Sequence, residues 1–141
     1  MARGMAHSVY TPTLTGLGER SHLASPDIGL ETHVQDVSQV LEYEELADVI
    51  LVGHSYAGMV VTAVADQVPQ RLSWSVYLDA VVPRGGQSLF DCAGPEFRRR
   101  IEEQVRTPGD GWLIPAASAQ TLDLIRDEDI EWTAPRLGPH P

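Results

Sequence analysis

The sequence contains a single cysteine, Cys92, and none of the CxxC pairs or Cys/His clusters that bind structural metals. It also lacks any apolar run close to the roughly 20 residues that span a bilayer, and its first residues lack the hydrophobic stretch of a secretory signal. Basic residues are scarce, 10 against 20 acidic ones, and the net charge of −10 opposes binding to nucleic acid and to anionic membranes. We therefore expect a cytoplasmic protein with no cofactor, no metal, no nucleic-acid partner and no membrane association.

The first 83 residues alternate short apolar runs with segments of helical period, a pattern typical of the α/β class, in which helices cover a parallel sheet. Apolar runs predict the strands, and spacings of three and four residues predict the helices. The predicted strands are residues 8–11, 48–53 and 74–82, and the predicted helices are residues 30–41 and 57–68. These elements predict a short three-stranded parallel sheet of the βαβαβ type.

The remaining sequence, residues 84–141, is richer in charge, glycine and proline. It predicts a polar helix over residues 95–105, whose basic cluster Arg98–Arg100 is interpreted as a solvated face. A second helix is predicted over residues 118–126, ahead of an acidic stretch and a proline-rich end. We interpret residues 1–83 as an α/β core and residues 84–141 as a cap-like helical region.

Residues 46–59, LADVILVGHSYAGM, have the pattern of a strand, a sharp turn and a helix, with Ser55 at the turn. A serine hydroxyl is a poor nucleophile unless it is held exposed, beside a base and near donors for the developing oxyanion. Such a turn needs small residues two positions before and after the serine. Gly53 and Ala57 occupy those positions, and Gly58 relieves the crowding that alanine adds. The pattern predicts a nucleophile elbow; the alternative is a merely structural turn.

Four segments of the chain carry a family resemblance. They are VYTPTLTGLGERSHL (9–23), LETHVQDV (30–37), VILVGHSYAGMV (49–60) and VYLDAVVPRGGQSL (76–89). Together they resemble the α/β-hydrolase superfamily, within it the bacterial esterase branch related to hydroxynitrile lyases, polyneuridine aldehyde esterase and salicylate-ester hydrolases. The resemblance implies a partial α/β-hydrolase fold that matches an internal slice of the superfamily's structure. The chain therefore looks truncated at both ends, with its tail similar to the cap of such enzymes.

The resemblance implies roles for particular residues. Ser55 corresponds to the nucleophile, and the backbone N–H of Tyr56 to one oxyanion donor. His54 resembles a residue that supports the turn. Asp79 is predicted at the carboxyl end of the last strand, where catalytic groups gather in open α/β sheets, and is the candidate triad acid.

Four other histidines are candidates for the general base. His140 follows the serine and the acid in the chain order of the superfamily, although it lies in a proline-rich tail. His22 follows a glycine-containing loop and is a candidate to face the pocket. His33 falls early in a predicted helix, where a helical or capping role is expected, and His7 has no further support.

The function predicted from these residues is hydrolysis of small or aromatic carboxylic esters through a Ser55 acyl-enzyme, with Tyr56 and Trp112 suggesting a partly aromatic pocket. One alternative is a weakly active or inactive remnant that binds a ligand or oligomerises, since a short sheet has unpaired edges that another copy could cover. Another is hydroxynitrile-lyase-like activity. The expected partners are a small ester and further copies of the same chain.

Overall fold

The fold is described from a computed structural model, which describes residues 7–106, 110–118, 122 and 124–141. Its strands are β1 (Val49–Ser55) and β2 (Leu72–Ala80), and its α-helices are α1 (Leu30–Tyr43), α2 (Ala57–Gln67), α3 (Leu89–Ala93), α4 (Pro95–Arg106) and α5 (Asp127–Thr133). Short 3₁₀ turns lie at Gly18–Leu23, Pro69–Arg71 and Ala134–Arg136. None of the helices in these ranges is both long and apolar enough to cross a membrane.

The sheet consists of β1 and β2, which pair in parallel and are connected by α2. Ile50 pairs with Trp74, and the register is regular up to His54, where an irregularity follows. This βαβ unit confirms the predicted strands over residues 48–53 and 74–82 and the helix between them. A parallel pair needs a crossover connection, which is why the α2 helix must pass over one face of the sheet.

The core lies between that face and two helices. Its buried cluster comes from the apolar stripes of α1 and α2 and consists of Val34, Val37, Leu41, Val60 and Val64. Each fully buried side chain of this size contributes about 1.5–3 kcal/mol relative to an exposed one. The apolar spacing that predicts a helix over residues 30–41 is thus confirmed, and the same spacing identifies the face that is buried.

The predicted first strand is wrong. Residues 8–11 have no regular secondary structure, and Val9 and Tyr10 are 41% and 46% exposed. A strand needs a hydrogen-bonded neighbour, and among the described residues β1 pairs with β2 alone. Within the described ranges the parallel sheet accordingly has two strands instead of the expected three.

The predicted helix over residues 118–126 is also displaced. Residues 119–121 and 123 lie outside the described part of the chain, while Leu124, Ile125 and Arg126 are not helical. The helix α5 begins at Asp127 instead, in the stretch expected to be merely acidic. Three acidic residues in its first turn interact favourably with the positive end of the helix dipole, which explains a start at this point.

The region after residue 84 begins with the consecutive helices α3 and α4. Ser88 and Asp91 form a capping box that starts α3, and the ring of Phe90 lies 6.3 Å from that of Phe97 on α4. The predicted polar helix over residues 95–105 is confirmed as α4. Its arginines are exposed as expected, and Arg98 also lies over the Phe90 ring.

Candidate active site

The turn between β1 and α2 has the backbone of a nucleophile elbow. Ser55 ends the strand with φ of 52°, Tyr56 already has helical dihedrals (φ −53°, ψ −35°), and α2 begins at Ala57. A positive φ is uncommon outside glycine, and such strained residues cluster at functional sites. Ser55 is exposed, so its hydroxyl is open to a reactant.

Two glycines allow the close approach that the elbow requires. A Cβ added to Gly53 would lie 2.7 Å from the carbonyl oxygen of Ala57, and one added to Gly58 would lie 2.1 Å from that of Val81. Both distances are far inside van der Waals contact. Gly58 therefore brings the start of α2 against the end of β2, while Ala57 is tolerated in the position usually held by glycine.

Asp79 lies beside the elbow at the carboxyl end of the sheet. Its neighbours Leu78 and Ala80 pair with His54 and Ser55, and the register shifts between these two pairs. Asp79 also has a positive φ, 41°, and is exposed. It forms no side-chain hydrogen bond or ion pair with the residues that the structure describes, so no histidine is oriented by its carboxylate here.

A loop preceding α1 is fastened to that helix by a charged network. Thr15 donates two hydrogen bonds to the Asp36 carboxylate, from its N–H (2.6 Å) and its hydroxyl (2.8 Å), and Arg20 donates a third at 2.9 Å. The Asp36 side chain is only 11% exposed. Burial alone would raise the pKa of Asp36, but the Thr15 hydrogen bonds and the Arg20 charge together lower it below its ordinary value.

We expect Asp36→Asn to lower the free energy of unfolding at pH 7 by about 1.5–3 kcal/mol, the range for hydrogen bonds to a charged group. Because the pKa of Asp36 is lowered in the folded state, its stabilisation is complete above the unfolded value of about 3.9 and is lost as the pH falls through the folded value. Urea denaturation should show the full difference from wild type at pH 7 and a smaller one below about pH 4. The exposed Asp66→Asn variant is the control. An equal loss of stability in both variants would show that the hydrogen bonds to Asp36 do not stabilise the fold.

Three aromatic side chains meet next to the serine. The ring of Tyr56 lies 5.7 Å from that of His33 and 4.8 Å from that of His140, and the two histidine rings lie 5.6 Å apart. Every pair is edge-to-face, the arrangement that aromatic rings prefer. This cluster joins α1, the elbow and the tail of the chain at one point.

The hydrogen bonds of His33 define its tautomer. Its Nε2 lies 3.0 Å from the carbonyl oxygen of Thr15, which can only accept, so Nε2 carries the proton. In the neutral ring Nδ1 is then an acceptor, and the Tyr56 hydroxyl, 2.9 Å away, donates to it. Burial raises the pKa of Tyr56 to about 12, so the phenol keeps its proton for this bond.

His140 is held by the tail of the chain. Its backbone forms an antiparallel bridge with Ile114, and its Nδ1 donates to the backbone oxygen of Pro141 at 2.7 Å. The other nitrogen, Nε2, is buried and has no hydrogen-bond partner among the described residues. Burial, opposed by the Pro141 hydrogen bond and assisted by nearby His33, lowers the pKa of His140 below its ordinary 6.5. No hydrogen bond links His140 to Ser55.

The other candidate residues lie apart from this cluster. His54 is exposed on the open face of the sheet, and His22 is exposed on a 3₁₀ turn, where its Nδ1 contacts only the carbonyl oxygen of Glu19. Trp112 is half-buried. An open depression of about 560 Å³ lies between the loop at Gly16 and residues 135–139, but Ser55 does not line it. The described ranges contain no group of three or more metal-binding side chains.

The sequence did not predict that His33 belongs to this site. It is completely buried, and Gly29, which caps α1, leaves it no capping role. The available signal was its position: His33 lies four residues before Val37, on the apolar stripe of the helix. A polar side chain on a buried face requires a hydrogen-bond partner.

Comparison with known proteins identifies a family to which the chain is similar. The profile of the Alpha/beta hydrolase family matches residues 1–140. A similar protein, the carbendazim hydrolyzing esterase of Nocardioides sp. (strain SG-4G), is 55% identical over 88 residues, which cover 62% of this chain and 36% of that protein.

A solved structure is also similar. It is an extracellular alpha/beta-hydrolase from a Paenibacillus species, described as sharing structural and functional homology with tobacco salicylic acid binding protein 2. The TM-score is 0.81 and the identity 28%, over 99% of this chain and 57% of that one. The chain thus spans 36% of the esterase's length and 57% of this structure's.

Proposed function

Because the chain belongs to the alpha/beta hydrolase family, we propose that it acts as a serine-dependent carboxylic ester hydrolase. The observation that carries the proposal is the exposed Ser55 at a φ of 52°, between a parallel strand and a helix that approach each other through glycine. The resemblance to an enzyme named as an esterase supports the same reaction type.

In the proposed reaction, the Ser55 hydroxyl attacks the ester carbonyl and the backbone N–H of Tyr56 donates to the oxyanion. His140 Nε2 is the proposed base: it accepts the serine proton and passes it to the leaving alkoxide, which departs as an alcohol. Water then attacks the acyl-enzyme, returns a proton to the serine and releases the acid. The donation from Nδ1 to Pro141 leaves the lone pair on Nε2, as a general base requires.

Asp79 is proposed as the acid that stabilises the protonated base, on the strength of its position beside Ser55. Catalytic hydrogen bonds are often long in the absence of substrate and shorten when it binds. The substrate class proposed is small or aromatic esters, supported by the Tyr56 ring next to the serine and by the named activity of the Nocardioides enzyme. The cytoplasmic location stays a prediction.

The pH dependence of the reaction should follow His140. Because its pKa is lowered, His140 becomes neutral, and able to accept the serine proton, at a pH below the ordinary 6.5. We expect kcat/KM for p-nitrophenyl acetate to rise with pH through a midpoint below about 6.5, and His140→Gln to lose this limb. His22→Gln, at an exposed histidine, is the control. A midpoint above about 6.5 would show that another residue is the general base. The same conclusion would follow if kcat/KM of His140→Gln still rose with pH as in the wild type.

Covalent labelling tests the proposal itself. A fluorophosphonate should form a stable adduct with the wild-type protein, and peptide mapping should find it on Ser55, because only an activated serine reacts with this class of inhibitor. An adduct on another residue would show that this residue, and not Ser55, is the nucleophile. Absence of any adduct would contradict a serine hydrolase.

A second proposal concerns assembly, and the open face of the sheet supports it. Large apolar side chains of both strands lie there with more than half of their surface exposed: Ile50 (54%), Val52 (52%), Trp74 (70%) and Leu78 (53%). Exposed apolar patches of this kind mark interaction sites, and unpaired strand edges are templates for pairing.

We therefore expect light scattering to give a dimer or larger oligomer, and Trp74→Glu to shift it toward monomer. The matched control is Trp132→Glu, at a tryptophan that is 63% exposed on α5, away from the sheet. A monodisperse wild-type monomer would contradict the assembly.

The division of the chain at residue 84 is likewise proposed. All five residues of the buried cluster precede this point, whereas α3 and α4 pack against one another through Phe90 and Phe97. The later region contacts the elbow through His140, which fits the role of a cap.

A further inference from the structure

His33 is the one completely buried histidine of the described chain, and the proposed reaction does not use it. It has 0% exposure and lies near the start of α1, in contact with Thr15, Tyr56 and His140. Burying an imidazole is unfavourable unless both nitrogens are hydrogen-bonded. Both are, and the two partners lie on different segments of the candidate site.

The first partner of His33 is Thr15, which is itself held in place by hydrogen bonds to α1. The carbonyl oxygen of Thr15 accepts from His33 Nε2, while the N–H and hydroxyl of the same residue donate to Asp36. Asp36 and His33 lie on one helix, so Thr15 is held to α1 at three atoms. In the neutral ring the proton is therefore on Nε2, and Nδ1 is the acceptor.

The other partner is the residue that follows the nucleophile. The Tyr56 hydroxyl donates to His33 Nδ1 over 2.9 Å, and the backbone of Tyr56 caps the N-terminus of α2. The N–H groups in the first turn of a helix lack intrahelical partners, so the Tyr56 N–H is free to donate to an oxyanion. A side chain anchored at its far end restricts the peptide to which it is attached.

We propose that His33 is a positioning residue for the oxyanion site: through the Tyr56 hydroxyl it fixes the orientation of the Tyr56 backbone N–H and of the ring that packs against His140. The proposal rests on the proposed hydrolase function for its catalytic consequence. It adds to that function a specific hydrogen-bond relay, from Thr15 through His33 to Tyr56.

Two substitutions of His33 separate its two hydrogen bonds. In His33→Asn the carboxamide oxygen can replace Nδ1 as the acceptor from Tyr56, and the contact with Thr15 is lost. In His33→Gln the amide nitrogen can replace Nε2 as the donor to Thr15, and the acceptor is lost. Tyr56→Phe removes the hydroxyl that donates to His33 Nδ1 and keeps the aromatic ring.

The first measurement is the backbone amide resonance of residue 56 by ¹⁵N-correlated NMR, which needs no catalytic activity. His33→Gln and Tyr56→Phe should both move it, by more than Tyr43→Phe moves the amide of residue 43, because Tyr43 is 80% exposed. His33→Asn should leave it close to the wild-type position. An unchanged resonance in His33→Gln and Tyr56→Phe, or an equal change in His33→Asn, would overturn the proposal. If the His33 variants do not fold, the amide resonance of residue 56 in Tyr56→Phe tests the proposal by itself.

The second measurement is hydrolysis of p-nitrophenyl acetate. His33→Gln and Tyr56→Phe should each lower kcat about 10-fold with KM nearly unchanged, because misorienting a group that acts in the transition state reduces kcat. The double variant should be no slower than either single one, since both remove the same bond. An NMR change without any Ser55-dependent hydrolysis would refute the hydrolase function and leave the positioning intact. Ser55-dependent hydrolysis with kcat unaffected by either variant would refute the positioning alone.

Discussion

Ser55→Ala is expected to reduce the rate of p-nitrophenyl acetate hydrolysis by about 10³-fold or more. The reason is that the substitution removes the attacking oxygen and leaves the rest of the elbow in place. Alanine lacks the hydroxyl but keeps the Cβ, so the strained backbone at φ 52° has the same steric requirements as before. Circular dichroism should therefore show an unchanged fold.

The matched control is Ser73→Ala. Ser73 is exposed on β2, near the end of the strand opposite to the elbow, and should retain the wild-type rate. Activated esters also react slowly with surface nucleophiles, and the rate that remains in Ser55→Ala measures that background. Equal rates for Ser55→Ala and the wild type would assign the hydrolysis to such background reactions and contradict the proposed nucleophile.

Gly58→Ala is expected to lower the free energy of unfolding by about 2–3 kcal/mol or more, with a fall in Tm on the order of 10 °C. The added methyl group would lie 2.1 Å from the carbonyl oxygen of Val81 and 3.0 Å from the Cβ of Ala80. Backbone cannot move aside as a flexible side chain can, so α2 must shift away from the end of β2. Because α2 begins two residues after Ser55, the shift should also disturb the elbow.

Gly85→Ala is the control for that experiment. A Cβ at Gly85 would meet nothing within 4 Å, and its stability should stay within about 1 kcal/mol of the wild type. Thermal unfolding followed by circular dichroism compares the two variants directly. Similar midpoints for both would show that α2 and β2 do not approach closely at Gly58.

The elbow could be predicted from sequence because its determinants are local. An apolar strand, a serine and small residues within a few positions impose steric requirements that a short segment satisfies by itself, and both Gly53 and Gly58 lie where a side chain would collide. The helices α1 and α2 were predictable for the same reason, since an apolar stripe of helical period is a property of the segment alone.

The strand predicted over residues 8–11 was wrong, because a strand depends on its neighbours. Residues 8–11 have the composition of a strand, but no described segment pairs with them. The start of α5 was missed for a different reason. Consecutive acidic residues suggest a solvated loop, although Asp127, Glu128 and Asp129 are favourable in the first turn of a helix.

The relay through His33 was beyond sequence reasoning because its contacts are distant along the chain. His33 meets Tyr56 across 23 positions and Thr15 across 18. Nothing in the composition of either segment specifies such a pair. What the sequence does contain is a histidine on an apolar stripe, and the structure shows which partners satisfy it.

The central claim, that Ser55 forms a covalent intermediate, is tested most directly by trapping that intermediate. The protein is mixed with p-nitrophenyl acetate, quenched in acid within the first turnovers and digested, and the acetylated peptide is identified by mass spectrometry. The account predicts an acetyl group on Ser55, accumulating before the steady state and absent from Ser55→Ala. An acetyl group on a different residue, or ester turnover with Ser55 never acetylated, would contradict it.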